Sequence, residues 1–403
     1  MYLPNEKDPL ECTPQKRPRL HEDDTLDMSV SPEASALVRE ESDLGVEQLP
    51  SPPSPRQAAT TSSDFVAKTC HCSGEKVDQV DQSVGPDTKF SYNVATQTPP
   101  SRLSPYSITD FQCKPEELRD LTGIESYDKF LLIFNSLGPN IVSELKYRKF
   151  NVKNLSLEDQ FFLTLWKLRK ATSDTELGMH FGIHHTTASN IFISWVTFMA
   201  NQWGKLDLWP SRDLIDYYMP EGFKRTYPST RVIVDATEIP IEKPTNPTAQ
   251  QATFSTYKNG NTLKVLVGAS PSGLISFASE AYGGSTSDRQ IVERSVLPEL
   301  CSRGDSVMAD RGINVQDIFA PKGVAVNIPA FLRGKDHLTG AVIMNDRKLA
   351  SKRVHIERLI GLIKIYHILK TKLNHHYVSH GSNIFFVCFM LSNFRENIVS
   401  QKA

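Results

Sequence analysis

The spacing of apolar residues changes character twice along this chain of 403 residues. Residues 1 to about 105 are rich in Pro, Ser and Thr and have few runs of large apolar side chains, so they cannot bury a core. From about 107 to 200, apolar residues recur at helical spacing. From Arg231 onward, short apolar runs alternate with helical patterns. The pattern predicts a disordered acidic tail (1–106), a helical region (107–225) and an α/β region (226–403).

Two helices in the helical region are predicted to follow one another across a glycine. Thr172-Ser173-Asp174 is a helix-start signal for a short helix that ends at Gly182, and His184 to Thr187 open a longer one. This is typical of a helix-turn-helix, which we place at about 155–200, although an ordinary helical hairpin has the same pattern. The second helix opens without Arg or Lys, which favours contacts to a DNA backbone, or a structural role, over strong reading of base sequence.

The C-terminal region reads as a mixed sheet with helices. The apolar runs predict five strands, at 231–239, 262–268, 274–279, 306–310 and 324–328. Helices are predicted from Ser287 or Asp288 to Leu300, at about 341–370 and at about 380–398. Three strands, a helix, a strand and a late helix is the order of the RNase H-like fold, in which the first strand is central and the fourth lies beside it. The predicted fold class is therefore α/β (α+β), an RNase H-like mixed sheet flanked by helices.

Acidic residues stand where this topology would bring them together. Asp235 and Asp310 come at the predicted ends of the first and fourth strands, Glu357 lies on the late helix, and Asp288 opens a helix. Each has an ordinary alternative as a strand end, turn, helix cap or solvated helix residue. Together, in this strand order, they favour a site for Mg²⁺, which prefers carboxylate oxygens.

The late helix also carries basic residues beside its glutamate. Arg353, Glu357, Gly361 and Lys364 follow one another at intervals of four, four and three residues, so they share one helix face. Gly361 would leave room for a phosphate or a metal ion. Arg353 and Lys364 would flank that space as phosphate contacts.

Charge is distributed unevenly along the chain. The overall net charge is −1, but residues 1–100 carry a net −8 and residues 225–403 a net +8. A basic C-terminal region suits a polyanion such as nucleic acid, or is simply a basic surface.

The six cysteines have no paired spacing, which indicates reduced thiols, and no apolar window is long enough to predict a membrane helix. Lys16-Arg17-Pro18-Arg19 is a candidate nuclear localisation signal.

Several segments together resemble a known family. Residues of about 231–395 resemble the DDE superfamily endonuclease domain of eukaryotic Harbinger-like transposases and their domesticated relatives, and about 155–200 resemble the transposase-type helix-turn-helix. The segments that carry the resemblance are Val234-Asp235-Ala236-Thr237-Glu238-Ile239, Tyr257-Lys258 with Asn261-Thr262-Leu263-Lys264, Gly284-Ser285-Thr286-Ser287-Asp288, Ala309-Asp310-Arg311-Gly312, and Ile356-Glu357-Arg358 with Gly361.

The resemblance implies metal-dependent chemistry on DNA. Asp235, Asp310 and Glu357 would be the catalytic acids and would bind Mg²⁺ or Mn²⁺, with Asp288 as a further ligand or supporting acid. The implied DNA or phosphate contacts are Lys258, Lys264, Arg311, Arg353 and Lys364. The reaction would be two-metal phosphodiester hydrolysis or strand transfer.

An alternative of another class stays open. A domesticated nuclear DNA-binding or scaffold protein could keep the fold and the metal site without cleavage. The four acids favour the enzyme, whereas the lack of the N-terminal zinc module of some relatives and the long Ser/Pro tail favour the scaffold. A separate DNA-binding partner and a homo-oligomer are both compatible with the sequence.

Overall fold

The computed structural model describes residues 106–330, 339–395 and 399. The predicted tail, apart from Tyr106, and the candidate localisation signal lie outside the described residues. None of the described helices is long and apolar enough to cross a membrane.

The helical region starts with a 3-10 turn at Ile108–Phe111. Its helices are α1 (Pro115–Thr122), α2 (Tyr127–Asn135), α3 (Ile141–Glu144), α4 (Leu157–Lys170), α5 (Asp174–Phe181), α6 (His185–Trp203), α7 (Arg212–Tyr218) and α8 (Glu221–Thr226). Ser156 is the N-cap of α4 and accepts a hydrogen bond from the backbone N–H of Asp159. The Asp159 carboxylate does not complete a capping box but instead accepts from Ser107 Oγ and the Ile108 N–H.

The two helices of the predicted helix-turn-helix are α5 and α6. Helix α5 ends at Gly182, which has the left-handed backbone conformation with φ of 63° that glycine adopts without strain. Helix α6 follows with His184 as its N-cap. The prediction that a glycine turn separates a short helix from a longer one is confirmed.

The α/β region forms a seven-stranded sheet in the order β2-β3-β1-β6-β7, with β4 and β5 also paired to β3. The strands are β1 (Thr230–Pro240), β2 (Phe254–Ser255), β3 (Gly260–Ala269), β4 (Ile275–Ala278), β5 (Tyr282–Gly283), β6 (Ser306–Met308) and β7 (Ala325–Asn327). Strand β1 runs antiparallel to β3 and parallel to β6, and β6 runs parallel to β7. The mixed sheet with the first strand at its centre confirms the predicted fold class.

Helices and 3-10 turns complete the α/β region. The helices are α9 (Pro247–Thr253), α10 (Asp288–Arg294), α11 (Leu297–Leu300), α12 (Gln316–Phe319), α13 (Gly340–Ile363), α14 (His375–Val378) and α15 (Gly381–Asn393). The 3-10 turns are Ala320–Lys322 and His367–Leu369.

Some predicted boundaries are wrong. Strand β1 agrees closely with the predicted 231–239, but Asp235 does not mark its end, because the antiparallel pairing with β3 continues to Pro240 opposite Thr262. Strand β6 stops at Met308, two residues before Asp310. The helix predicted over 287–300 is two short helices, because the chain is extended at Ser295. Helix α13 ends at Ile363 and not near 370, which leaves Lys364 as its C-cap.

The two faces of the sheet bury separate apolar clusters. Ile233 and Met308 belong to the larger cluster, which also contains Ile356 of α13 and the buried residues of α4 and α6. Val232 and Val307 belong to the smaller cluster on the other face, with Ile291 of α10 and its neighbours. The helical region and the α13 face of the sheet therefore share one core.

Candidate active site

The pairing of β1 with β6 brings two predicted acids to the same place. The parallel register pairs Ile233 with Met308, and Asp235 and Asp310 each follow two residues later. Side chains in extended chain alternate between faces, so Asp235 points to the side of Ile233, which is the side of α13. Strand pairing between β1 and β6 has already ended there, which leaves Asp235 only partly covered.

Helix α13 supplies the third acid and a buried arginine. Arg353 Nη1 lies 2.9 Å from Asp310 Oδ1; the arginine side chain is 10% exposed and the aspartate 51%. Glu357 lies one turn further along α13 and is exposed. The charges of Asp310, Glu357 and Arg353 all act on Asp235. The structure thus brings together Asp235, Asp310 and Glu357, with Arg353 between the helix and Asp310.

Asp235 is held in a setting that opposes its ionisation. Burial raises its pKa from 3.8 to about 6. The Ala236 N–H, which donates to Asp235 Oδ1 at 2.9 Å, and the positive charge of Arg353 act in the opposite direction. The negative charges of Asp310 and Glu357 raise the pKa further. An ionised Asp235 therefore lacks sufficient positive charge around it.

We expect this raised pKa to appear in the stability of the protein. The folded-state pKa lies above the unfolded value, so the native carboxyl keeps its proton between pH of about 4 and 6 and stability falls as pH rises through that window. Asp235→Asn should remove this loss and be more stable than wild type at pH 7 by about 1–3 kcal/mol, with little difference near pH 4. Urea unfolding of both proteins across this range measures the difference. A difference that does not change with pH would contradict the assignment.

The donor chemistry of this group fits a hard divalent cation. Asp235, Asp310 and Glu357 offer carboxylate oxygens, and the repulsion between them is what a cation would relieve. Within the described residues, however, no three His, Cys, Asp or Glu side chains are arranged closely enough to hold an ion. Asp310 is paired with Arg353 instead. The acids are neighbours without forming a closed coordination cluster.

Asp288 lies in a different setting. It is the first residue of α10, on the face of the sheet that carries the smaller cluster, and its Oδ1 is 3.3 Å from Lys264 Nζ. Ser287, and not Asp288, caps α10, through a capping box with Gln290. Asp288 is not among the leading causes of the pKa shift of Asp235. Its role as a metal ligand stays a prediction, and its observed partner is a lysine.

Glu238 has no role predicted from the sequence, but its carboxylate lies close to Lys264, the lysine that pairs with Asp288. Its carboxylate accepts hydrogen bonds from Ser255 Oγ at 3.0 Å and Thr262 Oγ1 at 2.9 Å, and it lies 3.7 Å from Lys264 Nζ. Lys264 therefore joins Glu238 to Asp288. The available signal was the position of Glu238 in the motif Val234 to Ile239, three residues after Asp235.

The five predicted phosphate contacts fall into two groups. Lys264 and Arg353 are mostly buried and paired with carboxylates, at Asp288 and Asp310 respectively. Lys258 and Arg311 are exposed. Lys364 is partly buried, and its Nζ donates to the Glu238 carbonyl oxygen at 3.3 Å. Lys258, Arg311 and Lys364 are thus the better placed to meet a substrate.

Most of α6 is committed to contacts inside the protein. Ser189 Oγ lies 3.0 Å from Tyr377 Oη, and Asn190 binds the backbone of Lys149 and Phe150. The exposed residues at the start of this helix are His184, His185 and Thr186. The surface left for DNA is therefore small and polar, which agrees with a role in backbone contact.

Comparison with known families identifies both regions. Residues 234–393 match the profile of the family described as DDE superfamily endonuclease, and residues 153–203 match the one described as helix-turn-helix of DDE superfamily endonuclease. No curated protein and no solved structure matches the chain. The first match contains Asp235, Asp288, Asp310 and Glu357. Residues 234–393 are therefore similar to the endonuclease domain of the DDE superfamily, and residues 153–203, which precede them, are similar to the helix-turn-helix of the same superfamily.

Proposed function

We propose that this protein is a Harbinger-like, transposase-derived endonuclease that cleaves or joins DNA with Mg²⁺ or Mn²⁺ at Asp235, Asp310 and Glu357. The observation that supports it most strongly is the convergence of three carboxylates from β1, the end of β6 and α13. Burial raises the pKa of Asp235 to about 6, and the charges of Asp310 and Glu357 raise it further. Endonucleases of this superfamily generally use divalent metals.

Each side chain has a defined part in this proposal. Asp235, Asp310 and Glu357 would hold the ions, and Asp235 would bind them as a carboxylate, which lowers its effective pKa. Two bound ions would supply an activated water or 3′-hydroxyl and would stabilise the leaving oxygen. Arg353 lies at Asp310 and can contact a phosphate oxygen there. A side chain at Gly361 would meet no protein atom within 4 Å, so the α13 face is open beside the acids.

The second candidate is a nuclear DNA-binding or scaffold protein that no longer cuts. It is favoured by the 2.9 Å ion pair between Arg353 and Asp310, because the arginine neutralises an acid that the reaction would need. Both candidates have DNA as a partner, through the basic C-terminal region and the helix-turn-helix. We propose the nucleus as the compartment for either, from Lys16-Arg17-Pro18-Arg19.

Metal-dependent nicking of supercoiled DNA tests the proposal. The full chain should nick the plasmid with Mn²⁺ or Mg²⁺, and removal of the ions with a chelator should stop the reaction, because in this proposal the bound ions activate the water. Re-addition of Mn²⁺ should restore nicking. DNA binding without nicking under any of these conditions would support the scaffold instead. Nicking that continues in the chelator would rule out the metal mechanism.

A further inference from the structure

A pocket lined by lysines lies beside the candidate active site. Its volume is about 460 Å³, and it lies where β1 leaves the sheet, between the turn before β3 and the segment after α13. The lysines that line it are Lys243, Lys258, Lys364, Lys370 and Lys372. They come from three separate segments of the chain, so the folded structure, and not a local charge run, assembles this pocket.

The protein compensates only part of the positive charge of the pocket. Its lining contains one carboxylate, Glu238, which already accepts two hydroxyl hydrogen bonds and lies near Lys264. Lys243, Lys258, Lys370 and Lys372 are exposed and form no ion pair within the described ranges. Burial lowers the pKa of Lys364 and the charges of Lys258 and Lys370 lower it further, although the charges of Glu238 and Asp235 oppose this shift. Bringing five lysines together is unfavourable unless an anion joins them.

An aromatic ring stands next to the pocket. Tyr257 is 83% exposed, and Lys258 Nζ lies over its ring at 4.6 Å from the centroid. A positively charged groove with exposed aromatic rings is the arrangement that binds single-stranded nucleic acid, because phosphates meet the cations and an unstacked base lies on the ring. In a duplex the bases stack on each other and are not available to such a ring.

Lys364 links the pocket to the candidate active site. This lysine contacts the Glu238 carbonyl, and the charge of Asp235 acts on it. Asp235 and Pro240 are five residues apart on β1, which is about 17 Å at the usual strand rise. A strand held at Asp235 would reach the pocket within a few nucleotides.

We propose that this lysine pocket, with Tyr257, binds the backbone of a single DNA strand that extends from the candidate active site. The statement that the strand extends from the candidate active site rests on the proposed function. The statement that the pocket binds a single strand does not. The pocket is thus a second DNA contact, distinct from the helix-turn-helix and from the carboxylates.

Binding of a fluorescein-labelled oligothymidylate, followed by anisotropy of the full chain in the presence of a chelator, tests the proposal. Lys370→Gln with Lys372→Gln should weaken binding about tenfold and reduce the slope of log affinity against log salt by about 1.4. The matched control is Lys114→Gln with Lys205→Gln, two exposed lysines of the helical region. Tyr257→Ala should weaken single-strand binding about tenfold and leave duplex binding unchanged.

Two results would overturn the inference. One is that the variant Lys370→Gln with Lys372→Gln binds the single strand as tightly as the control Lys114→Gln with Lys205→Gln. The other is an equal effect of Tyr257→Ala on single strands and duplexes, which would indicate a duplex-binding surface. The binding assay contains no divalent metal, so it does not depend on cleavage. A chain that binds the single strand here but does not nick DNA with Mn²⁺ or Mg²⁺ would contradict the proposed function and still support the strand site.

Discussion

Asp235→Ala is expected to reduce Mn²⁺-dependent DNA nicking by about a thousandfold or more, since acids that act as one catalytic unit fail together when one is lost. Asp235 is the partly buried member of the group, and the charges of Asp310 and Glu357 both act on it. Glu357→Gln should cause a loss of the same order, because it keeps the shape of the side chain and removes its charge. Initial rates of plasmid nicking at saturating Mn²⁺ measure both variants.

The matched control for this series is Glu280→Gln, which makes the same chemical change at an exposed glutamate outside the group. It should nick DNA at the wild-type rate. Circular dichroism of each variant shows whether the fold is kept. If Asp235→Ala and Glu357→Gln nick DNA at the wild-type rate, these acids are not the catalytic residues, whatever metal supports the reaction.

Asp174→Ala is expected to destabilise the protein by about 3–5 kcal/mol, because it leaves a buried charge without its partner. Lys167 is 6% exposed, and its Nζ donates to Asp174 Oδ1 at 2.6 Å and to the Thr172 carbonyl at 3.1 Å. The same ammonium lies over the rings of Phe192 and Tyr377. Tyr377 donates its phenol proton to Asp174 Oδ2 at 2.5 Å. Asp174 therefore supports partners in the helix-turn-helix and in α14.

An exposed ion pair of helix α4 serves as the control for the buried pair of Lys167 and Asp174. Lys170 pairs with Asp120 at 2.7 Å, but these side chains are 32% and 67% exposed. Asp120→Ala should therefore cost no more than about 1 kcal/mol. The free energy of unfolding in urea distinguishes the two variants. Equal costs for Asp174→Ala and Asp120→Ala would show that burial of the Lys167 pair contributes nothing beyond a surface ion pair.

The contact between Tyr377 and Asp174 also bears on how the two regions are joined. Asp174 opens α5, and Tyr377 lies in α14 of the α/β region. Helix α6 packs into the same apolar cluster as Ile356 of α13. The helix-turn-helix is thus built into the core that also positions Glu357. Loss of Asp174 is expected to lower DNA cleavage as well as stability.

The sequence predicted the elements more reliably than their ends. The glycine turn at Gly182, the central strand and the helix with Glu357 were all visible as local periodicity, which reflects one residue and its near neighbours. The place of Asp235 inside β1, and not at its end, was not visible, because the strand beyond Asp235 is held by pairing with β3, as at Pro240 opposite Thr262, a residue far away along the chain. The split between α10 and α11 depends on the backbone at Ser295, which periodicity does not report.

The candidate site shows the same division. Strand order predicted Asp235 beside Asp310, and in the structure each lies two residues after the last paired residues of β1 and β6, Ile233 and Met308. Asp288 could not be placed from the sequence, because its face of the sheet depends on how α10 packs, and there its partner is Lys264. The pairing of Arg353 with Asp310 depends on the rotation of α13 about its own axis, which is set by tertiary packing.

Sequence alone predicted the order of the five longer strands and of the helix that carries Glu357, and it determined the excess of positive charge in the C-terminal region. Tertiary structure alone decided that Arg353 neutralises Asp310, that α6 is mostly buried, and that five lysines from three segments surround one pocket. The physical reason is the separation along the chain of the residues that interact. Periodicity and charge count are sums over neighbours in the chain, whereas ion pairs, burial and pockets depend on which distant segments the folded core brings together.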